Sequence, residues 1–143
     1  MTDFTNLLQG RAVCECGKNH SCSISNVYIG SGAVGILPEL VVAYQNAILV
    51  ADENTYDVQG NVVERLLGDR VQSELIYSGT SLLVPDEDSV QALQEMVTKE
   101  TDLIIGVGAG VINDICKYVS FCCDLPYFIV ATAPSMDGYA SNG

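Results

Sequence analysis

The chain has 143 residues, enough for one domain with its own core, and its composition of 48% apolar and 17% charged residues excludes a disordered segment. Its 18 acidic and 6 basic residues give a net charge of −12, which excludes the basic surface typical of a nucleic-acid-binding domain. An anionic ligand would be held mainly by backbone N–H groups and helix ends.

The N-terminal segment predicts neither secretion nor membrane insertion. Met1-Thr2-Asp3-Phe4 is polar and acidic, without the apolar stretch of a signal peptide, and no part of the chain is apolar over the length that spans a bilayer. We therefore expect a cytoplasmic protein in which the cysteines are reduced thiols: Cys14, Cys16, Cys22, Cys116, Cys122 and Cys123.

The first motif is Cys14-Glu15-Cys16-Gly17-Lys18-Asn19-His20, with Cys22 beyond it. Two thiols and an imidazole are possible zinc ligands, but the spacing is too close for a zinc finger and there is no second CxxC pair. The pattern therefore favours a compact turn over a metal site. Because His20 is the only histidine, this chain cannot assemble a histidine-rich metal site.

The rest of the chain alternates between strand-like and helix-like patterns. The first half predicts a strand at Asn26–Ile29, a helix at Leu37–Tyr44, a strand at Asn46–Ala51, a helix at Thr55–Leu67 and a strand at Glu74–Tyr77. The second half predicts a helix from Asp86-Glu87-Asp88, a strand at Leu103–Ile105, a helix over 112–123 and a strand at Tyr127–Ala131. This order predicts an α/β fold, a Rossmann-like parallel sheet with flanking helices.

The last helix has a clear apolar face. The residues predicted to line it are Ile112, Ile115, Cys116, Val119, Cys122 and Cys123, and those predicted to lie off it are Asn113, Asp114, Lys117 and Ser120.

Three segments could carry chemistry at strand ends. The Gly106-Val107-Gly108-Ala109-Gly110 run lies between a strand and a helix, where glycines allow backbone N–H groups to approach a phosphate; the alternative is a tight turn. The hydroxyl-rich loop Thr132–Ser141 follows a later strand and could form part of a site or a solvated turn. Asp52, with Glu53 beside it, ends an interior-type strand and could bind a ribose or simply occupy an acidic turn.

Two of these segments together resemble the sn-glycerol-1-phosphate dehydrogenase family, within the group of glycerol dehydrogenases, iron-type alcohol dehydrogenases and dehydroquinate synthases. They are Gly106-Val-Gly-Ala-Gly-Val-Ile-Asn-Asp-Ile-Cys-Lys117 and Thr132-Ala-Pro-Ser-Met-Asp-Gly-Tyr-Ala-Ser141. The Ala51-Asp-Glu-Asn-Thr-Tyr56 segment and the CxCGxxH start resemble the bacterial branch of the family.

The resemblance implies an NAD(P)-dependent enzyme that interconverts dihydroxyacetone phosphate and sn-glycerol 1-phosphate. It implies that Asp137 faces the substrate and that Asp52 lies by the adenosine ribose of NAD(H) or NADP(H), favouring NAD. The resemblance also implies two further groups of cofactor contacts. The diphosphate contacts are Gly108, Gly110, Val111, Ile112, Asn113 and Asp114, and the next wall of the cofactor site is formed by Thr132, Ala133, Pro134, Ser135 and Ser141.

The family's divalent metal, zinc or nickel, is bound in a helical C-terminal domain by one Asp and two His. We expect residues 1–143 to be the NAD(P)-binding domain of a longer two-domain enzyme, because the sequence stops in a loop just after a strand. On this basis we assign no catalytic residue and no metal ligand to these residues. The complete enzyme is expected to be a homodimer or larger, with no nucleic-acid or membrane partner.

Two alternatives stay open at this point. One is a glycerol or other alcohol dehydrogenase of the same architecture, which the Pro-Ser-Met-Asp-Gly-Tyr run disfavours. The other is a nucleotide-binding module without catalysis.

Overall fold

The computed structural model describes residues 23–135, together with residues 8, 15–17 and 139. The chain divides into two units, one formed by Met1–Ala33 and Asp137–Gly143 and the other by Val34–Met136. Sheet and flanking helices belong to the second unit. The predicted site residues Asp137 and Ser141, and Cys14, His20 and Cys22 of the N-terminal motif, lie outside the described residues.

The described strands form one parallel sheet. They are β1 (Ala47–Asp52), β2 (Val71–Tyr77), β3 (Leu103–Gly108) and β4 (Tyr127–Ala131), in the order β2-β1-β3-β4. The chain leaves β1 for a neighbour on one side and later returns to pair with it on the other, so the strand order reverses between β1 and β3. The predicted fold class is thereby confirmed.

Helical segments connect the strands. A 3-10 turn, Ala33–Ile36, leads into α1 (Leu37–Leu40). After β1 come α2 (Glu53–Thr55), a π-helical turn (Tyr56–Gly60), α3 (Asn61–Leu67) and a 3-10 turn (Gly68–Arg70). The later helices are α4 (Glu87–Met96), before β3, and α5 (Gly110–Cys123), between β3 and β4.

The π-helical turn depends on two residues of its own. A Cβ atom on Gly60 would lie 2.6 Å from Cδ2 of Tyr56, so only glycine leaves room for that ring. The Tyr56 hydroxyl donates to Oε2 of Glu64 in α3 at 2.5 Å, and this bond is the main reason that the pKa of Tyr56 rises to about 12. The tyrosine therefore stays a neutral donor that ties the turn to α3.

Both faces of the sheet are covered. Leu49 and Ala51 of β1 pack into a cluster that includes Val63 and Leu67 of α3, whereas Ile48 and Val50 pack with residues of α4 and α5. This explains why β1 is a continuous apolar run rather than an alternating one. Burial of each large aliphatic side chain contributes about 1.5–3 kcal/mol.

Several predicted boundaries need correction. Asn26–Ile29 forms no strand, and Ile29 is exposed. The helix expected at Leu37–Tyr44 ends at Leu40. The strand expected at Leu103–Ile105 continues to Gly108, since its glycines are buried under α5.

The buried face of α5 is also rotated from its predicted position. Cys122, expected in the core, is exposed, while Asn113 and Ser120, expected outside it, are buried. The rotation follows from the close approach of the first turn of α5 to β3, which brings Asn113 into the core. Ile112, Ile115, Cys116 and Val119 are buried as predicted.

Candidate functional site

An open crevice of about 750 Å³ lies at the carboxyl ends of β1, β2 and β3. In open parallel sheets this edge binds ligands at the point where the strand order reverses, which here is between β1 and β3. The lining residues come from the segments that follow these strands and from the loop after β4: Asp52, Asn54, Ser78, Gly79, Thr80, Ser81, Leu82, Leu83, Ala109, Gly110, Val111, Ile112, Asp114 and Ser135.

The N-terminus of α5 opens into this crevice with free backbone donors. Its N-cap residue is Ala109, which has no side chain that could accept a hydrogen bond, whereas Asp52 caps α2 and Asp86 caps α4. The first backbone hydrogen bond of α5 runs from Asn113 N–H to Ala109 O at 3.0 Å. Within the described residues, the N–H groups of residues 110–112 therefore remain available, and such a helix end favours an anion.

Glycines in β3 hold this helix end close to the sheet. A Cβ atom on Gly108 would lie 2.6 Å from Cγ1 of Ile112, and one on Gly106 would lie 2.9 Å from Sγ of Cys116. Any side chain at position 108 would push the first turn of α5 away from the strand. The backbone N–H of Thr132 donates to Gly108 O at 3.1 Å, which fixes the start of the loop after β4 beside the same turn.

Asp52 caps a helix and also lines the crevice. Its Oδ1 accepts the Thr55 N–H at 2.9 Å, and its own N–H donates to Oγ1 of Thr55 at 3.1 Å, so the two residues form a capping box. Its Oδ2 has no hydrogen-bond partner among the described residues. One carboxylate thus caps α2 and presents an acceptor to the crevice.

The sequence interpretation missed the loop after β2, which forms a whole wall of the crevice. Asp52 is the register partner of Tyr77, so Ser78–Ser81 follows directly beside the end of β1. The Gly79 N–H donates to Oε2 of Glu53 at 2.8 Å, and the hydroxyls of Ser78 and Thr80 lie 2.8 Å apart. The available signal was the Ser-Gly-Thr-Ser run immediately after a predicted strand.

Tyr77, the last residue of β2, connects the start of this loop to α4. Its hydroxyl donates to the carbonyl of Ser89 at 2.6 Å, and its half-buried position raises the pKa of Tyr77, so it remains a neutral donor. The bond joins the end of β2 to the first turn of α4. The loop between them is therefore held at both ends.

Asn113 and Asp114, near the start of α5, have different surroundings: Asn113 is buried and Asp114 lines the crevice. Asn113 is fully buried, its Nδ2 donates to Oδ1 of Asp114 at 3.3 Å, and its Oδ1 has no partner among the described residues. Such an unsatisfied buried acceptor costs about 1–3 kcal/mol. Asp114 lines the crevice and lies 3.8 Å from the ammonium of Lys117, so the acidic charge near the helix end is partly offset.

Of the eleven predicted site residues that the structure describes, six line the crevice and five do not. The six are Asp52, Gly110, Val111, Ile112, Asp114 and Ser135. Gly108 lies beneath α5 and Asn113 in the core. Thr132, Ala133 and Pro134 form the start of the loop after β4 without lining the crevice.

Neither a metal cluster nor a membrane-spanning helix occurs in the described part of the chain. No three histidine, cysteine, aspartate or glutamate side chains lie close enough there to hold a metal ion. Among the same residues, no helix has the length and apolar character needed to cross a bilayer.

Fold and crevice define a doubly wound α/β domain of the Rossmann-like class, with a helix end that lacks a side-chain cap at its switch point. The chain belongs to the iron-containing alcohol dehydrogenase family, which it matches over residues 28–143. The predicted resemblance is thereby confirmed at the level of the family.

The chain is also similar to individual proteins of known name. The chain is 35% identical over 137 residues to the NAD(P)+ glycerol-1-phosphate dehydrogenase of Halalkalibacterium halodurans, and 33% identical over 142 residues to that of Geobacillus stearothermophilus. Each alignment covers 91% of this chain and 34% of the relative, so the chain spans about a third of their length. Glycerol dehydrogenase from Schizosaccharomyces pombe shares the fold, with a TM-score of 0.60 at 24% identity, over 73% of this chain and 27% of that one.

Proposed function

We propose that the crevice binds NAD(H) or NADP(H), with the cofactor diphosphate on the N-terminus of α5 and the adenosine ribose at Asp52. The observation that carries this proposal is the presence of two groups at the switch point between β1 and β3. The N-terminus of α5, which has no side-chain cap, follows β3, and Asp52, whose Oδ2 has no partner among the described residues, ends β1. Both bacterial relatives are named as NAD(P)+ enzymes, which supports the same cofactor here.

The chemistry of each contact follows from the groups present. The N–H groups of residues 110–112 would donate to diphosphate oxygens, an arrangement worth about 0.3–1 kcal/mol per charge and up to about 2 kcal/mol where partly buried. Oδ2 of Asp52 would accept a ribose hydroxyl, while Ser135 would border the other end of the cofactor. The scarcity of lysine and arginine fits a site that relies on backbone donors.

We further propose that the protein reduces dihydroxyacetone phosphate to sn-glycerol 1-phosphate, with residues 1–143 as its cofactor-binding domain and a homodimer or larger assembly as its working form. The bound NAD(P)H supplies the hydride. In this proposal Asp137 binds the substrate and Ser141 the cofactor. The metal of the family, zinc or nickel by the resemblance, is assigned no ligand here, because the described residues contain no fitting cluster.

The cofactor site is tested by Ala109→Asp, which adds the missing cap to α5. An N-cap carboxylate would take the free N–H groups and stabilise the helix by about 0.5–2 kcal/mol. It would also repel the diphosphate. We therefore expect a higher melting temperature together with weaker NADH binding, measured by thermal unfolding and calorimetric titration of the 143-residue chain.

Ala109→Ser provides the uncharged control. It should stabilise α5 through the same donors while weakening NADH binding less than Ala109→Asp does. If both variants raise the melting temperature and leave NADH affinity unchanged, the diphosphate is not bound at this helix end.

The reaction is tested on the full-length protein that contains this domain. We expect oxidation of NADH with dihydroxyacetone phosphate, and little reduction of NAD+ with glycerol. The 143-residue chain alone should show no turnover. Preference for glycerol would favour the glycerol dehydrogenase alternative, and cofactor binding without any turnover of either substrate would favour a non-catalytic module.

A further inference from the structure

Glu53 follows Asp52, the residue proposed to bind the ribose, but its carboxylate makes a different contact. Its side chain is exposed, and its Oε2 accepts the Gly79 N–H at 2.8 Å. Since Asp52 is the register partner of Tyr77, this bond joins the residue after β1 to the second residue after β2. Glu53 therefore holds the Ser78–Ser81 loop against the start of α2.

Close packing supports the same connection. A Cβ atom on Gly79 would lie 2.8 Å from Nδ2 of Asn54 and 3.2 Å from Cβ of Glu53, so the loop approaches the α2 turn as closely as a glycine allows. Asn54 and Gly79 both line the crevice. The bond between Glu53 and Gly79 consequently determines the position of one crevice wall.

The chemistry of that wall suits a negatively charged group. The loop carries the hydroxyls of Ser78, Thr80 and Ser81 and the backbone N–H groups of the same turn, a set that can bind phosphate oxygens. The Thr80 N–H already donates to Oγ of Ser78 at 3.3 Å. A carboxylate of the chain itself occupies the Gly79 donor. A second anion at this position would have to displace Glu53 or accept its charge as a close neighbour.

We propose that Glu53 is a positioning and specificity-determining residue, which holds the Ser78–Ser81 loop and occupies the donor that the 2′-phosphate of NADP would otherwise use. This rests on the proposed binding of the cofactor in the crevice. Asp52 discriminates against the 2′-phosphate by its charge, and the backbone donor that it occupies, the Thr55 N–H, belongs to its own capping box. Glu53 discriminates by charge and by occupying a hydrogen-bond donor.

Two variants separate these contributions. Glu53→Gln keeps an oxygen that can accept the Gly79 N–H and removes the charge. Glu53→Ala removes the charge and frees the donor. Glu100→Ala is the matched control, since Glu100 is an exposed glutamate outside the crevice.

The experiment is calorimetric titration of the 143-residue chain with NADH and with NADPH, after circular dichroism has verified folding. Glu53→Ala should raise the affinity for NADPH relative to NADH by about two- to fivefold, the scale of an interaction between exposed charges. Glu53→Gln should raise this ratio less, and Glu100→Ala should leave it unchanged.

Three results would contradict this proposal, and each has a different meaning. If Glu53→Ala weakens both cofactors equally, or leaves the ratio unchanged, Glu53 only stabilises the loop and the specificity role is wrong. If Glu53→Ala does not fold, an unchanged ratio in Glu53→Gln overturns the proposal instead. If the parent chain binds neither cofactor, the proposed cofactor site itself fails, and this inference fails with it.

Discussion

A single carboxylate, that of Asp52, caps α2 and is proposed to bind the cofactor ribose. Oδ1 belongs to the capping box with Thr55, and Oδ2 has no hydrogen-bond partner among the described residues. The roles can be separated because asparagine retains a carbonyl oxygen for the cap but carries no charge. Stability and cofactor preference should therefore respond differently to substitution at this one position.

For Asp52→Asn we expect nearly unchanged stability and a higher NADPH to NADH affinity ratio, because the repulsion of the 2′-phosphate is removed. Asp52→Ala should raise the ratio as well, but should lose about 0.5–2 kcal/mol of stability with the cap. Thermal unfolding and titration of both cofactors measure the two effects. An unchanged ratio in both variants would leave Asp52 as a cap only.

At the scale of elements, the contact between β3 and α5 determines where the helix end lies. Gly108→Ala would place a methyl group 2.6 Å from Ile112, which forces α5 outwards. We expect a loss of about 1–3 kcal/mol of stability from overpacking, and weaker NADH binding because the N–H donors move.

Gly35→Ala is the control for this substitution. Gly35 is exposed, and a Cβ atom there would have no neighbour within 4 Å. Urea unfolding and NADH titration of both variants give the comparison. Equal stability and equal affinity for Gly108→Ala and the parent would show that α5 does not need the glycine.

Most of the sheet was predictable from local patterns, since the apolar run of β1 and the five residues of β4 are bounded by turn-forming residues. Asn26–Ile29 has the same local character but pairs with no strand in the described part of the chain, and pairing is a property of the whole sheet. The Ser-Gly-Thr-Ser run marks the Ser78–Ser81 loop, but its place beside β1, like the burial of Asn113, could not be predicted from local patterns. Each depends on the register of β1 with β2 or on the fit of α5 to β3.

At the scale of the molecule, Cys116 reports whether the sheet and α5 separate. It is fully buried next to Gly106, and this burial raises the pKa of its thiol, so little reactive thiolate forms. Cys122, on the same helix, is exposed. The reactivities of the two thiols can therefore be compared within one chain, to tell local detachment of α5 from global unfolding.

We expect iodoacetamide to label Cys122 readily and Cys116 more slowly by about a thousandfold or more, as for a site exposed only by global unfolding. Peptide mass spectrometry of the native chain over time measures both rates, and labelling in urea should abolish the difference. Similar rates in native buffer would mean that α5 detaches from the sheet locally.

The strand order also has a consequence for synthesis on the ribosome. β1 can pair with β2 as soon as Tyr77 has emerged, but its other edge must wait for β3. At roughly 5–20 residues per second, production of Ser78–Gly108 takes a few seconds. During that interval the nascent chain carries an unpaired apolar strand edge, the kind of surface that chaperones bind and that aggregates recruit. The speed of translation across this segment therefore sets how long the chain remains vulnerable.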